Sequence, residues 1–456
     1  MEEFDAVVIG SGQGADPLSR ALASAGRKTA IIERQHVGGT CINEGCTPTK
    51  TMAASARVAY LAARAAEYGV RTGAISIDMA AVRQRKRAIV DDWRASGERR
   101  LRDAPGLELI MGEAHFTGQR AVAVSLAAGG ERMLRAPLIV IDTGTRPAVP
   151  PLPGLDLVPF LDSTSLMELD SVPEHLLILG GGYVSVEFAQ MFRRFGSRVS
   201  IVQRRDSLLP REDPDVAAAL AGILEEDGIE VVLSGKAASV ASAGTGVLLE
   251  IFTPSGERRL EGSHLLVATG RTPNTGPLHL EASGLTADEK GYIRVNDRLE
   301  TTVEGIYAIG DVKGGPAFTH ISYDDYRILR TNILEGGAAS TKDRLVPYAI
   351  FTDPQLGRVG ITETEAKARR LDHRVATLPM ASASRAIETA ETRGFLKALI
   401  DKRSDEILGC AMLGVDGGEL MAMVQVAMMG HVTATQLANA VLTHPTLAES
   451  LNTLFG

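Results

Sequence analysis

Two cysteines, Cys41 and Cys46, stand in the run Gly38-Gly39-Thr40-Cys41-Ile42-Asn43-Glu44-Gly45-Cys46-Thr47-Pro48-Thr49-Lys50, and the chain has one other cysteine, Cys410. A close, glycine-flanked pair suggests a dithiol that cycles with a disulfide. Thiolates do such chemistry, so the site should lower thiol pKa values, and a helix N-terminus would do so through its dipole. The step from Cys41 to Cys46 is too long for one ideal turn. The helix should therefore be distorted for the Cα atoms to come within disulfide reach. Lys50 follows one turn later and could hold positive charge near Cys46. The competing readings are two free buried thiols or half a zinc site. Zinc normally takes four ligands, and no second Cys/His pair stands at metal spacing, so no structural metal site is expected. Cys410 has apolar residues on both sides and reads as core.

The pair follows a nucleotide fingerprint. Gly10-Ser11-Gly12-Gln13-Gly14-Ala15 comes after an apolar run from Phe4 to Ile9, and a helix should follow to about Ala25, stopped by Gly26. Gly10 permits a tight turn, Gly12 lets amides approach a pyrophosphate, and small Ala15 allows close helix–strand packing. The helix N-terminus attracts the phosphate charge. Glu33, at the end of the next strand, is placed to bind an adenosine ribose. The same unit recurs: a strand from His175 to Leu179, Gly180-Gly181-Gly182-Tyr183-Val184-Ser185, a helix to Phe195, and a strand ending at Gln203. The interval from Gly10 to Glu33 equals that from Gly180 to Gln203. One fingerprint is weak evidence, whereas two with matched spacing in strand–turn–helix context are strong. In the second copy Gln203 replaces the carboxylate and Arg204 and Arg205 follow, which favours NADPH over NADH because guanidinium groups bind a 2′-phosphate. The bland alternative is two arginines solvating a loop. The dithiol would then stand between a bound flavin and an outside electron acceptor.

Near the end stands Thr443-His444-Pro445-Thr446-Leu447-Ala448-Glu449. A histidine with a nearby carboxylate suits proton transfer, although on spacing alone a surface histidine is the better reading. With 456 residues the prior is about three domains. The net charge of -8, interspersed along the chain, disfavours nucleic acid or an anionic membrane as the main partner. The acidic N-terminus is unlike a signal peptide and no apolar run is long enough to span a membrane, so a cytoplasmic protein is expected. Prolines 147, 150, 151, 153 and 159 mark an inter-domain linker. Residues 45–100 should be largely helical, and after about 345 a separate α+β domain should begin.

These residues resemble the FAD-dependent pyridine nucleotide–disulfide oxidoreductases, the family of glutathione reductase, lipoamide dehydrogenase and mercuric reductase. The resemblance covers essentially the whole chain. It is closest to the branch of mercuric-reductase-like and reactive-chlorine-resistance copper(II) reductase flavoproteins, through 39–50, 208–213, 318–327, 346–348 and 443–452. It implies an α/β fold with two Rossmann-like dinucleotide-binding domains and a C-terminal α+β dimerisation domain. The segments would be 1–146 and 267–340 for FAD, 147–266 for NAD(P)H and 341–456 for the interface. Cys41 would meet the acceptor and Cys46 would contact the flavin. Lys50 would pair with Glu187 near flavin N5. Tyr183 would gate the nicotinamide pocket. Gly39 and Thr40, Gly310 and Asp311 would hold FAD, and Thr143-Gly144 and Gly270-Arg271 would lie on domain-crossing strands. His444 and Glu449 would form an acid–base pair reaching the partner's Cys41 across a homodimer.

The implied reaction carries electrons from NADPH through FAD to a Cys41–Cys46 disulfide. The acceptor would be a thiophilic metal ion, touched by Cys41 and Cys46, or a small disulfide. The chain ends Leu451-Asn452-Thr453-Leu454-Phe455-Gly456, without the vicinal cysteines of classical mercuric reductases. Rival expectations are a dihydrolipoamide dehydrogenase, another low-molecular-weight disulfide reductase, and an FAD-containing redox sensor.

Overall fold

Runs of small and β-branched residues without alternating polarity form the centre of the first sheet. Ala6–Ile9 and Leu138–Ile141 are buried throughout, and Thr29–Glu33 at all but its last position. That pattern belongs to parallel strands covered on both faces. The computed structural model describes all residues 1–456. They fall into two compact units, one of Met1–Thr51, Ala81–Ala148 and Gly270–Arg344, the other of Met52–Ala80, Val149–Thr269 and Leu345–Gly456.

The first unit is built on an eight-stranded sheet. From Leu107–Gly118 through Thr29–Glu33, Ala6–Ile9 and Leu138–Ile141 to Ile306–Ala308 the neighbours are parallel. Leu107–Gly118 then continues into an antiparallel meander with Ala121–Leu126 and Glu131–Arg135. The helix Ala15–Ser24 follows the first strand, and Gly26, at φ +82°, turns the chain as expected. The expected helical stretch is interrupted: Cys46–Ala63 and Met79–Arg102 are helices, but residues 69–78 carry none. Gly69, at φ +74°, closes the short turn Ala65–Tyr68 and ends the run.

In the second unit a four-stranded parallel sheet runs Glu230–Val232, Arg198–Val202, His175–Leu179, His264–Val267. A three-stranded antiparallel sheet, Lys236–Ala243, Gly246–Thr253 and Gly256–Gly262, accompanies it. The helix Tyr183–Phe195 buries Val186, Phe188, Ala189, Phe192 and Phe195. The C-terminal part is a five-stranded antiparallel sheet whose core includes Val359, Leu396, Met412, Val424 and Leu451. Cys410 is fully buried there, as its apolar neighbours implied, and burial pushes its thiol up to about 12.

The two fingerprints fold alike. Ile9 pairs with Ile32 and Leu179 with Val202, so Glu33 and Gln203 each leave a strand beside the first glycine. Gly10 N donates to Ile32 O at 2.8 Å, and Gly180 N to Val202 O at 2.9 Å. The proline-rich stretch begins at a two-stranded ribbon, Thr145–Pro147 against Arg271–Pro273, closed by Ala148 N donating to Gly270 O at 3.0 Å. No helix is long and apolar enough to cross a membrane.

Candidate active site

Cys41 lies in the short helix Gly39–Asn43, and Cys46 opens the helix Cys46–Ala63. The chain leaves helical geometry at Glu44, with φ −141°, and re-enters after Gly45. This is the distortion the spacing demands. A Cβ on Gly45 would fall 2.9 Å from Thr40 O, so only glycine lets the two helices meet so closely. Asn43 Nδ2 donates to the carbonyls of Gly39 and Val37 at 2.9 and 3.0 Å, and Arg94 Nε donates to Asn43 Oδ1 at 2.7 Å. The loop is thus pinned from both sides.

The two cysteines are thiols hydrogen-bonded to each other. Thr319 Oγ1 lies 3.4 Å from Cys46 Sγ and also bonds Cys41. The hydrogen bond to Cys46, burial and the negative charge of Cys46 push the Cys41 thiol well up, while Thr319 and Lys50 pull it down. The expectation that the site lowers both thiols therefore fails for Cys41. Two sulfurs in contact cannot both ionise cheaply. Cys41 keeps its proton, and Cys46 sits at the first position of its helix, where the dipole favours a thiolate.

Gly38 and Gly39 place this loop on the first fingerprint. They adopt φ +102° and +61°, and a Cβ on Gly39 would fall 3.0 Å from Gly12 Cα. Gly14 at the N-cap of the helix Ala15–Ser24 carries no capping side chain; Asp142 Oδ2 takes the Ala15 amide at 3.0 Å, and the positive end of the helix still favours an anion. Glu33 is held in place, one carboxylate oxygen accepting from Ser11 N and Oγ at 3.1 and 2.6 Å, the other from Gln35 N at 2.8 Å. Thr143 and Asn274 exchange hydrogen bonds, with Thr143 Oγ1 donating to Asn274 O at 3.1 Å and Asn274 Nδ2 to Thr143 O at 2.9 Å. Gly144, at φ +63°, turns the chain into the ribbon. Arg271 donates to Thr145 Oγ1 and O at 2.6 and 2.8 Å, and Thr145 Oγ1 donates to Asp311 at 3.2 Å. Gly310 N donates to Asp325 Oδ2 at 2.9 Å. Glycine clearance, a glycine N-cap and a strand-end carboxylate fit an adenine dinucleotide such as FAD.

The second turn has the same design with different polar groups. Gly180 adopts φ +122°, and the helix Tyr183–Phe195 has no side-chain cap at Gly182. Tyr183 is 40% exposed at its first position. The Ser185 hydroxyl is buried there with no hydrogen-bond partner. Gln203 folds under the turn, where a Cβ on Gly181 would fall 2.8 Å from its Cδ, and its Nε2 donates to Ser207 O at 3.1 Å. Arg204 and Arg205 are exposed. Glu187 is buried, its Oε1 accepting from Phe351 N at 2.8 Å. Lys50 belongs to the first unit and Glu187 to the second. His444 and Glu449 are brought together: His444 Nδ1 lies 2.9 and 3.0 Å from the two carboxylate oxygens. That contact fixes the tautomer with Nε2 free to exchange a proton.

Two residues went unread in the sequence. Thr319 carries no signal beyond its place in a matching stretch. Asp142 did carry one, a lone acid directly after the apolar strand Leu138–Ile141.

Residues 4–325 match the family described as pyridine nucleotide-disulphide oxidoreductase, and residues 346–455 match its dimerisation domain. A probable pyridine nucleotide-disulfide oxidoreductase, RclA of Escherichia coli, is 39% identical over 459 residues, covering 100% of this chain and 99% of the relative. A mercuric reductase of Streptomyces lividans is 34% identical over 98% of this chain and 94% of its own length. Among solved structures, the Cu(II) complex of the HOCl-induced flavoprotein disulfide reductase RclA from Escherichia coli superposes with a TM-score of 0.91 at 38% identity, covering 100% of this chain and 99% of that one.

Because Cys46 is the first cause of the high Cys41 titration, Cys46→Ala should lower the Cys41 pKa by about one unit or more. Ultraviolet thiolate absorbance against pH measures it. An unchanged titration would place the cause in burial alone.

Proposed function

The chain belongs to the pyridine nucleotide-disulphide oxidoreductases, and from that premise we propose that it passes electrons from NADPH, through bound FAD, into the Cys41–Cys46 pair and on to a thiophilic metal ion or a small disulfide. The observation that carries this reading is the hydrogen-bonded thiol pair held by a glycine contact on a dinucleotide turn. The family implies a flavin and a pyridine nucleotide; the preference for NADPH rests on Gln203, Arg204 and Arg205. Gly10, Gly12, Gly14, Ala15, Glu33, Gly39, Thr40, Thr143, Gly144, Gly310 and Asp311 would hold FAD, which when bound supplies a two-electron relay between nicotinamide and sulfur. Gly180, Gly182 and Tyr183 would bind the nicotinamide nucleotide, and Gly270 and Arg271 would complete the crossing strands. The segments 1–146 with 267–340, 147–266 and 341–456 serve as flavin, nucleotide and interface domains.

In the proposed cycle Cys46 would be the sulfur next to the flavin, and Lys50 would hold positive charge beside it. Cys41 keeps its proton until an acceptor arrives. Reduction of two Cu(II)-like ions would oxidise the dithiol to the disulfide and release two protons and two reduced ions. A small disulfide would instead leave as two thiols. His444, oriented by Glu449, would take the Cys41 proton across a homodimer of this cytoplasmic enzyme. The metal reading draws on the relative solved with Cu(II). A dihydrolipoamide dehydrogenase would call for NAD, whose ribose asks for a carboxylate where Gln203 stands.

Cys46→Ser should abolish NADPH-dependent acceptor reduction, and the denatured protein should no longer gain two titratable thiols on reduction. A retained rate would end the dithiol route. His444→Ala should slow acceptor turnover by about 100-fold or more while flavin reduction by NADPH keeps its speed; equal losses in both half-reactions would make the residue structural. Replacing Arg204 and Arg205 by alanine should raise KM for NADPH by about 10-fold or more and leave KM for NADH near its starting value. Parallel changes for both nucleotides would show that the arginines merely solvate the loop.

A further inference from the structure

Asp142 enters the first dinucleotide turn from beneath. Its amide donates to Ile9 O at 2.8 Å, and a Cβ on Gly10 would fall 2.3 Å from its carbonyl oxygen. In the second copy of the motif Ala268 takes the same place. Its amide donates to Leu179 O at 2.9 Å, and a Cβ on Gly180 would fall 2.4 Å from its carbonyl. The backbones of the two turns are built alike, and a methyl suffices in one of them. The carboxyl of Asp142 therefore serves something the strand end does not require.

Its surroundings say what. Oδ2 accepts its one side-chain hydrogen bond, from Ala15 N at 3.0 Å, and lies 2.6 Å from where a Cβ on Gly12 would be. Oδ1 lies 2.4 Å from the corresponding point on Gly310. The carboxyl thus fills the gap between the fingerprint turn and the turn Gly310–Lys313. The fingerprint side faces it with the Ala15 amide and no charge. Asp311 and Lys313 act on it from the second turn, and Asp325 from the helix Thr319–Leu334. Lys313 is itself bound to Asp325 at 3.2 Å, and Asp325 also holds Arg344 at 2.7 Å. Burial, reinforced by both acids, pushes the Asp142 carboxyl well up. A diphosphate on the Gly10–Gly14 turn would bring further negative charge.

We propose that Asp142 is a positioning residue of the flavin cradle: its carboxyl is wedged between the fingerprint turn and the Gly310–Lys313 turn, and negative charge there weakens the hold on the dinucleotide. This rests on the reading that FAD binds here. The sign follows from linkage. If bound FAD raises the Asp142 pKa above its value in the apoprotein, affinity is constant below the apoprotein value. It falls by about tenfold per pH unit above it, until the higher pKa is passed.

Apoprotein titrated with FAD from neutral to alkaline pH, read by flavin fluorescence, should show this decline, whereas Asp142→Asn, which keeps the acceptor for Ala15 N, should show a flat affinity over the same window. In weakly buffered solution above the apoprotein titration, wild-type protein should take up to about one proton for each FAD bound, a readout that needs no variant. Parallel pH dependences in the two proteins, or binding without proton uptake, would overturn the proposal. Failure of the apoprotein to take FAD at any pH would instead remove the flavin reading beneath it.

Discussion

The site depends on two glycine segments resting against each other. Gly39 lies so close to Gly12 that a single methyl would fall 3.0 Å from the Gly12 Cα. One segment belongs to the cysteine loop, the other to the first glycine-rich turn. Their contact fixes the sulfur pair relative to the head of the helix Ala15–Ser24 without any side chain between them. It demands left-handed backbone at Gly38 and Gly39, which glycine adopts freely. The break at Glu44–Gly45 then sets Cys46 at the head of a long helix while Cys41 stays in the preceding turn.

From that constraint follows the division of labour between the sulfurs. They share one site, one thiol is half-buried, and one stands at a helix N-terminus. A symmetric dithiol would offer two equivalent groups. Here the hydrogen bond between them and the position of Thr319 make one sulfur proton-bearing. An unequal pair suits thiol chemistry in which one sulfur reacts as thiolate while the other still carries its proton.

Much of this was legible in the chain. The repeated glycine turns announced both parallel sheets because register ties strand ends to the first glycine: Gly10 beside Glu33, Gly180 beside Gln203. The helix distortion at the cysteines followed from spacing alone. The closeness of His444 and Glu449 was hinted at by sequence distance and realised by a turn that bonds Thr446 to Thr443. What stayed hidden depended on contacts between distant segments. Thr319 reaches the sulfurs from the far end of the first unit. The proton on Cys41 is a property of the pair, and neither cysteine alone predicts it. Asp142 was visible as an oddity, but its meaning needs the Gly310 turn, which the chain delivers long afterwards. Residues 69–78 lack the expected helix because the run of helix formers ends at Gly69.

The ribbon of Thr145–Pro147 and Arg271–Pro273 is closed by one hydrogen bond from Ala148 N to Gly270 O. The chain departs from the first unit after Ala148 and returns to it at Gly270, so the two ends of the intervening stretch are adjacent. Loop-closure entropy grows only slowly with the length enclosed, so the ribbon is indifferent to how much chain it carries. The stretch behaves as an insertion with two adjacent splice points. A lineage could lengthen or trim surface loops within that stretch while the ribbon and the cysteine loop pass unaltered to the descendant.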